Sequence, residues 1–284
     1  MKIHHLDCGR MHPILPRLVL GPVAEAHRHL VCHCLLIETP RDGLILVDSG
    51  YGTADCAHPR ERLGRFFLSI ARPELRLEAT ALAQVQALGF DPADVRHIIL
   101  THLDVDHAGG LPDFPDATVH VMARELEAAR TARGRHRLRY RPASWAHQPR
   151  WHLHDDPAGE RWAGFEAVRP LPGVDPDVLL VPLAGHSPGH CGVGVKAAAG
   201  GWMLHAGDAY FHRGIVRPEA GRPTAGLWIF ETFTQWRADA RRRNQSALRA
   251  LAADEASDVA IFCAHDAVEL SRFHPEGPSP QLLR

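Results

Sequence analysis

Residues 101–110 read THLDVDHAGG and directly follow an apolar run at 95–100. The run predicts a buried β-strand, and the stretch after it is rich in side chains that can bind a metal ion. They are His102, Asp104, Asp106 and His107. Carboxylates and imidazoles this close together would repel or desolvate one another unless a cation lies between them. The stretch therefore predicts a metal site at the end of a strand.

Three later apolar runs are each followed by a residue of the same kind. The runs are 178–181, 202–205 and 259–263, and the residues that follow them are His186, Asp208 and His265. Strands of one sheet that end at the same edge would bring these side chains to the first group. Seven candidate ligands are too many for one closed tetrahedral ion, and they suit two ions with open positions.

The order of these motifs resembles that of the metallo-β-lactamase superfamily. That family has T-H-x-H-x-D-H after a strand, a histidine in a G-H-[ST]-x-G-H loop, an aspartate in a G-D segment and a last histidine. Here the four segments read THLDVDH at 101–107, GHSPGH at 185–190, GDAY at 207–210 and AHD at 264–266. The resemblance implies an α/β (α+β) fold, the αββα four-layer sandwich with two mixed β-sheets packed between helices. It also implies a single domain over residues 1–284.

The resemblance distributes the seven ligands over two metal sites. Site one would hold His102, Asp104 and His186; site two would hold Asp106, His107 and His265, and Asp208 would bridge them. Asp104 stands where the family has a histidine, which makes site one harder and more negative. We expect two divalent ions, zinc first, with manganese or iron as alternatives because of Asp104.

The same resemblance implies a reaction. A hydroxide held between the two ions would attack a small carbonyl substrate, namely a lactone, an ester or a thioester. Asp106 would pass the proton onward, and Tyr210 would donate a hydrogen bond to the developing oxyanion, with an aromatic side chain packed beside the site as the alternative for Tyr210. Asp48 would orient a ligand histidine, and His190 would be a hydrogen bonder of its loop.

Three other functions stay open at this stage. A phosphodiesterase of the same fold is disfavoured for nucleic acids, because the formal net charge is −1 and a polyanion needs a basic surface. A diiron oxygenase or reductase is suggested by Asp104, although the resembling flavoproteins carry a flavin domain that we do not expect in 284 residues. A non-catalytic metal-binding protein is the last alternative, and the presence of all seven ligands argues against it.

Composition indicates a soluble protein whose partner is a small molecule. Hydrophobic residues make up 45% and charged residues 23%, and no apolar run reaches the roughly 20 residues of a membrane helix. The first residues show no apolar signal segment, and the six cysteines form no CxxC pair, so we expect a cytoplasmic protein with reduced thiols. The apolar run at 226–230 could serve a homodimer interface.

Strand and helix patterns alternate along the chain. The predicted strands are 34–38, 44–47, 95–100, 118–121, 178–181, 191–195, 202–205 and 259–263, and the predicted helices are 60–70, 78–88, 122–131 and 237–253. The segment 133–163 has no clean period and is rich in arginine and tryptophan, so we interpret it as a lid or a pocket wall. Its alternating arginines, 135 to 141, are expected on a solvated edge, and His152 and His154 on the surface or the lid.

Overall fold

Two β-sheets lie face to face between helices in the computed structural model, which describes residues 1–21, 23–155, 161–165, 169–171, 174 and 177–273. The first sheet contains β1 (Lys2–Met11), β2 (Leu30–Glu38), β3 (Leu44–Val47), β4 (Pro73–Glu74), β5 (Val95–Ile99), β6 (Thr118–Met122) and β7 (Arg150–His154). The second contains β8 (Arg169–Pro170), β9 (Val178–Pro182), β10 (Cys191–Lys196), β11 (Trp202–His205) and β12 (Val259–Phe262).

Both sheets are mixed. The first has the order β4-β1-β2-β3-β5-β6-β7, antiparallel from β4 to β3 and parallel from β3 to β7. The second has the order β12-β11-β10-β9-β8, in which β11 and β12 are parallel and the other neighbours antiparallel. The parallel strands β5 and β12 each end beside one of the predicted ligand segments, which places those segments at one edge of the sandwich.

The described residues also contain ten α-helices. They are α1 (Pro16–Leu20), α2 (Thr53–Ala57), α3 (Pro59–Arg62), α4 (Arg65–Ala71), α5 (Ala81–Ala87), α6 (Val105–Ala108), α7 (Ala123–Thr131), α8 (Ala225–Thr234), α9 (Ala238–Ala253) and α10 (Ala267–Ser271). None of these helices has the length and apolar character that a passage through a bilayer requires.

Three apolar clusters separate the four layers. The inner one joins the facing sheets, with Ile45 and Val47 of β3 against Val178 and Leu180 of β9. The second lies on the outer face of the first sheet and includes Val85 of α5. The third covers the outer face of the second sheet, under α9. The predicted αββα sandwich is confirmed, and alternation along each strand supplies both of its faces.

The structure differs from the predicted elements in several places. The predicted helix at 60–70 is divided into α3 and α4, and the apolar run at 226–230 lies in the unpredicted helix α8. β1 was not predicted, because its sequence KIHHLDCGRM mixes polar residues into both faces. The predicted strand at 34–38 begins earlier, at Leu30. The segment 133–163 contains short 3₁₀ turns and also the edge strand β7, which pairs with β6; its residues 156–160 lie outside the described part of the chain.

The two glycines that end the quoted stretch are needed for a close backbone approach. The loop 49–52 packs against 109–110, where the Ser49 amide donates to the His107 carbonyl at 2.8 Å and the Gly110 amide to the Gly50 carbonyl at 3.2 Å. A Cβ on Gly109 would collide with the Asp55 carboxylate and would lie 2.8 Å from the Gly50 carbonyl oxygen. A side chain here would push apart the two loops that carry Asp48 and His107.

We therefore expect Gly109→Ala to lower the free energy of unfolding by about 2 kcal/mol, as overpacking of a rigid site does. Gly194→Ala in β10 is the matched control, because its Cβ would meet only ordinary contacts at 3.6 Å. Denaturant unfolding with a chelator present measures both variants without a contribution from metal. Equal stability of the two variants would contradict the proposed steric role.

Candidate metal centre

All seven predicted ligands meet at one edge of the sandwich. His102 and the residues around helix α6 follow β5, His186 lies in the loop between β9 and β10, and the other two follow β11 and β12. Six of them are buried, and Asp104 is partly exposed. The loops converge because β5, β11 and β12 all end at this edge of the sandwich, so the structure brings together all seven predicted ligands.

The first triad consists of His102, Asp104 and His186. The Nε2 atoms of His102 and His186 lie 3.4 and 3.2 Å from the Asp104 Oδ2 atom. The second triad consists of Asp106, His107 and His265. The Nε2 atoms of its two histidines lie 3.3 Å apart, and that of His265 lies 3.6 Å from the Asp106 Oδ2 atom. Each triad has its donor atoms within 4.8 Å of one another.

Asp208 lies between the two triads and contacts imidazoles of both, and its Oδ2 atom also lies 3.3 Å from His265 Nε2. Its Oδ2 atom is 3.3 Å from His186 Nε2 and 3.7 Å from His102 Nε2. Its Oδ1 atom is 3.1 Å from His265 Nε2 and 3.3 Å from His107 Nε2. This is the arrangement that a bridging carboxylate needs.

Two of these buried atoms lack any hydrogen-bond partner. They are His102 Nε2 and Asp208 Oδ1, both turned into the cluster. A buried polar atom without a partner costs free energy, and a bound cation would remove that cost at both atoms. The donor set of imidazoles and carboxylates also suits divalent transition metals. The residues present therefore fit two metal ions.

The pKa values of the cluster differ from one ligand to another. Burial alone would lower the pKa of His107 and of His265, but Asp208 raises both, so these imidazoles would release a proton when an ion binds. Asp208 and His186 are already in the forms that bind metals. Burial alone would raise the pKa of Asp208, but the His265 and His107 imidazoles hold it well below its ordinary value. Burial and the nearby Arg139 guanidinium lower the pKa of His186 to about 4. Asp208 is thus a carboxylate and His186 a neutral imidazole at neutral pH, as ligands must be.

Asp48 holds His107 from behind. It accepts hydrogen bonds from the Thr101 amide and hydroxyl, both at 2.8 Å, and its Oδ2 atom lies 2.8 Å from His107 Nδ1. His107 Nδ1–H donates a hydrogen bond to Asp48, and this contact orients the ring with Nε2 toward the cluster. His190 acts within its loop, as predicted from its motif: its Nδ1 donates to the Leu183 carbonyl, and its Nε2 accepts from the Asp208 amide.

Glu125 connects the two histidine loops and was not predicted. It is fully buried in α7, and it accepts hydrogen bonds from the Leu103 amide at 3.1 Å, the Ser187 hydroxyl at 2.6 Å and the Gly189 amide at 3.0 Å. One carboxylate thereby fixes the loop of His102 against that of His186. No sequence signal marks it, because a glutamate in an amphipathic helix is usually solvated.

Arg139 corrects the expectation of a solvated arginine edge. Its Nε and Nη2 atoms donate to the two oxygens of Asp104, both at 2.7 Å, and its Nη1 donates to the His186 carbonyl at 2.9 Å. Nη2 also contacts His186 Nε2. Burial alone would raise the pKa of Asp104, but Arg139 and His102 hold it well below its ordinary value. The additional negative charge of site one is thus balanced within the protein.

Tyr210 does not lie where the motif predicted. Its side chain is fully buried, and its hydroxyl donates to the Glu269 carboxylate, 3.2 Å from each oxygen. Burial raises the pKa of Glu269 to about 7, so the pair can share a proton inside the core. The prediction of Tyr210 as an oxyanion donor is wrong for this conformation, because the residue after Gly207-Asp208-Ala209 turns toward α10 rather than toward the cluster.

A cavity of about 170 Å³ opens above the cluster. Asp104, Asp106, His186, Asp208 and His265 form its polar floor. Its walls are mainly apolar, and their side chains include Met11, Leu30, Phe66, Phe67, Ile70, Leu138, Phe211, Phe230 and Phe233. The floor can hold a polar reacting group, and the walls can hold an apolar substituent.

The ion pair of Asp104 and Arg139 should be measurable as a coupling. In metal-free protein, Asp104→Asn and Arg139→Met are each expected to cost about 2 kcal/mol or more, because each leaves the partner charge largely buried and unpaired. The double variant should lose less than the sum, by about 1–3 kcal/mol. Arg137→Met is the matched control, since Arg137 is exposed in the same segment. Additive losses, as read from denaturant unfolding with chelator, would refute the pairing.

Comparisons with known proteins agree with this centre. The family model described as the metallo-beta-lactamase superfamily matches residues 27–265. A probable metallo-hydrolase of Mycobacterium tuberculosis is 41% identical over 267 residues, which are 94% of this chain and 80% of that protein. The N-acyl homoserine lactonase AttM of Azorhizobium caulinodans is 32% identical over 214 residues, 74% of this chain and 77% of its own length.

Solved structures show the same fold. An N-acyl homoserine lactone hydrolase with the product N-hexanoyl-L-homoserine bound at its catalytic metal centre superposes with a TM-score of 0.66 at 23% identity, over 94% of each chain. The family match spans most of the chain. All seven clustered residues lie within it, and the last of them, His265, is its final matched position. The chain therefore belongs to the metallo-β-lactamase superfamily, and it is a metal-dependent hydrolase.

Proposed function

We propose that this protein uses two divalent metal ions to hydrolyse a small carbonyl substrate with an apolar substituent, a lactone before an ester or a thioester. The observation that carries the proposal is the cluster of seven candidate ligands, five of which form the floor of an apolar cavity. The relatives named as N-acyl homoserine lactonases support a lactone. Zinc is the proposed ion, since three or four imidazoles and carboxylates per site suit it.

The proposed ligands follow the two triads. His102, Asp104 and His186 would hold one ion, Asp106, His107 and His265 the other, and Asp208 both. When bound, such ions lower the pKa of a water held between them and polarise the substrate carbonyl. Asp48 accepts the hydrogen bond of His107 Nδ1–H and thereby holds the ring with Nε2 directed at the ion site.

Asp106 is the residue proposed to move the proton. Its carboxylate borders both the second triad and the cavity. It can accept a proton from the attacking water and release it to the leaving oxygen or sulfur of the substrate. The apolar walls exclude bulk water from this exchange, which strengthens the electrostatic interactions on the floor.

Residues 134–139 are proposed as a wall of the substrate cavity within a single catalytic domain. His136, Leu138 and Arg139 line the cavity, so this part of the predicted lid segment borders the substrate. Arg139 also ties the segment to the centre through Asp104. Arg139, which borders the cavity, is thereby paired with Asp104, a proposed metal ligand.

The two alternative reactions are less well supported. A phosphodiester would need cationic side chains in the cavity, and the Arg139 guanidinium there is already paired with Asp104. The argument for iron came from the negative charge of Asp104, and Arg139 offsets that charge. We therefore keep the diiron reading and the phosphodiesterase as outcomes of the experiment below.

Metal content and activity test the proposal together. Purified protein should contain about two zinc ions per chain and should hydrolyse an N-acyl homoserine lactone, with an aryl ester, a thioester and bis-p-nitrophenyl phosphate as comparison substrates. Chelation should abolish hydrolysis, and zinc should restore it. Two iron ions with oxygen uptake would favour the redox alternative, and turnover of the phosphodiester alone would favour the phosphodiesterase. Less than one ion after reconstitution would refute the dinuclear centre.

Tyr210→Phe separates the structure from the motif-based prediction. Because the hydroxyl faces Glu269, we expect kcat/KM for the hydrolysed substrate to stay within about twofold, while the free energy of unfolding falls by about 1 kcal/mol from the lost hydrogen bond. Asp106→Asn is the comparison, and it should lose at least about 100-fold in kcat. A loss of that size in Tyr210→Phe would restore the tyrosine as an oxyanion donor.

A further inference from the structure

Four histidines lie side by side on three neighbouring strands, away from the centre described above. His97 belongs to β5, His120 to β6, and His152 and His154 to β7. His120 pairs with His152 in register, and the two-residue spacing of a strand puts all four side chains on one face. Ile99 and Met122 share that face, and they belong to the apolar cluster between the two sheets.

We expected His152 and His154 on the surface or in the lid. This is wrong for His154, which is buried, whereas His152 is partly exposed. His154 is 3% exposed, and His120 is 1% exposed. The sequence could not show this, because β7 lies in a segment without a recognisable period.

Three of these imidazoles have the spacing of ligands around one ion. His120, His152 and His154 each present a ring nitrogen, and these nitrogens lie within 4.8 Å of one another. The ring centroids are 5.0, 5.3 and 4.8 Å apart. Imidazoles bound to one tetrahedral ion at about 2.0–2.1 Å would have their centroids about 5 Å apart. The present arrangement thus needs little rearrangement to close on an ion.

His97, the fourth histidine of the group, contacts His120. Its Nδ1 atom lies 2.9 Å from His120 Nε2, and the other ring nitrogen of His120, Nδ1, lies 3.1 Å from His154 Nε2. If His120 donates its Nε2 proton to His97, its Nδ1 lone pair points toward His154. A histidine that binds a metal through one ring nitrogen commonly donates a hydrogen bond from the N–H of the other.

Burial favours the neutral form of two of these imidazoles, His120 and His97. Burial and the neighbouring His154, His97 and His152 lower the pKa of His120 to about 3. Burial also lowers the pKa of His97. The partial exposure of His152 on the edge strand gives an ion a way in.

We propose that His120, His152 and His154 form an additional metal site, distinct from the seven-residue centre, for a divalent ion that prefers imidazole, such as Zn²⁺, Ni²⁺ or Cu²⁺. His97 positions His120 within it. Three protein ligands leave one tetrahedral position for water. An ion there would link the edge strand β7 to β6. Strand β7 belongs to the same segment, 133–163, as Arg139. The site does not depend on the proposed function, since it uses none of the catalytic ligands.

The number of bound ions tests the site. Metal-free full-length protein is dialysed against a small excess of Zn²⁺, and the bound zinc is counted by elemental analysis for wild type, His152→Ala and His58→Ala. His152 is chosen because it is the most exposed ligand, and His58 is an exposed histidine outside the cluster. We expect His152→Ala to bind one ion fewer than wild type and His58→Ala to match wild type. Because the result is a difference, it holds whatever the occupancy of the seven-residue centre.

A second measurement tests the site if the His152→Ala variant fails to fold. One equivalent of Cu²⁺ added to protein whose seven-residue centre is already filled with zinc should give an electron paramagnetic resonance spectrum with coupling to about three imidazole nitrogens, and zinc-filled His120→Gln should not give it. Equal zinc counts in wild type and His152→Ala, together with no such copper signal, would refute the site. The four histidines would then be a hydrogen-bonded imidazole network in the core.

Discussion

The buried carboxylate of Asp208 is the constraint on which the rest of the structure depends. It is 3% exposed, and its two oxygens contact imidazoles of both triads. A carboxylate cannot be held there without positive charge or hydrogen bonds around it. The convergence of four loops, the glycines that allow loops 49–52 and 109–110 to touch, and the buried supports Asp48 and Glu125 all keep donor atoms at the places that this charge requires.

Asp104 and Arg139 show how a change in one ligand is accommodated. A carboxylate in place of the family's histidine would by itself add negative charge to a buried site. Arg139 meets both of its oxygens at 2.7 Å, and it comes from a segment far along the chain that also borders the cavity. The local charge of the centre therefore stays close to that of a histidine ligand set, while the wall of the cavity becomes fixed to the metal centre.

Much of the fold and of the centre followed from the sequence, because local patterns carried the information. Strand alternation predicted most strands, and the ligands lie directly after them, where the end of a strand fixes their positions. Tyr210 failed this reasoning, since one residue of turn geometry decides whether a side chain faces the cluster or the core. Glu125 and Arg139 failed it too, because a glutamate on a helix and an arginine in an irregular segment have no local signature of burial.

The sequence by itself determined which candidate metal ligands follow the strands, since this depends on residue type and on spacing within short segments. The resemblance of its motifs to the superfamily implied the four-layer architecture and the family. Only the tertiary structure decided which groups share a charge and which share a face. The pairing of Asp104 with Arg139, the hold of Glu125 on two loops and the assembly of His97, His120, His152 and His154 all join residues from separate segments. Such contacts depend on how strands align in space, and the register of β7 against β6 is not written in any one segment.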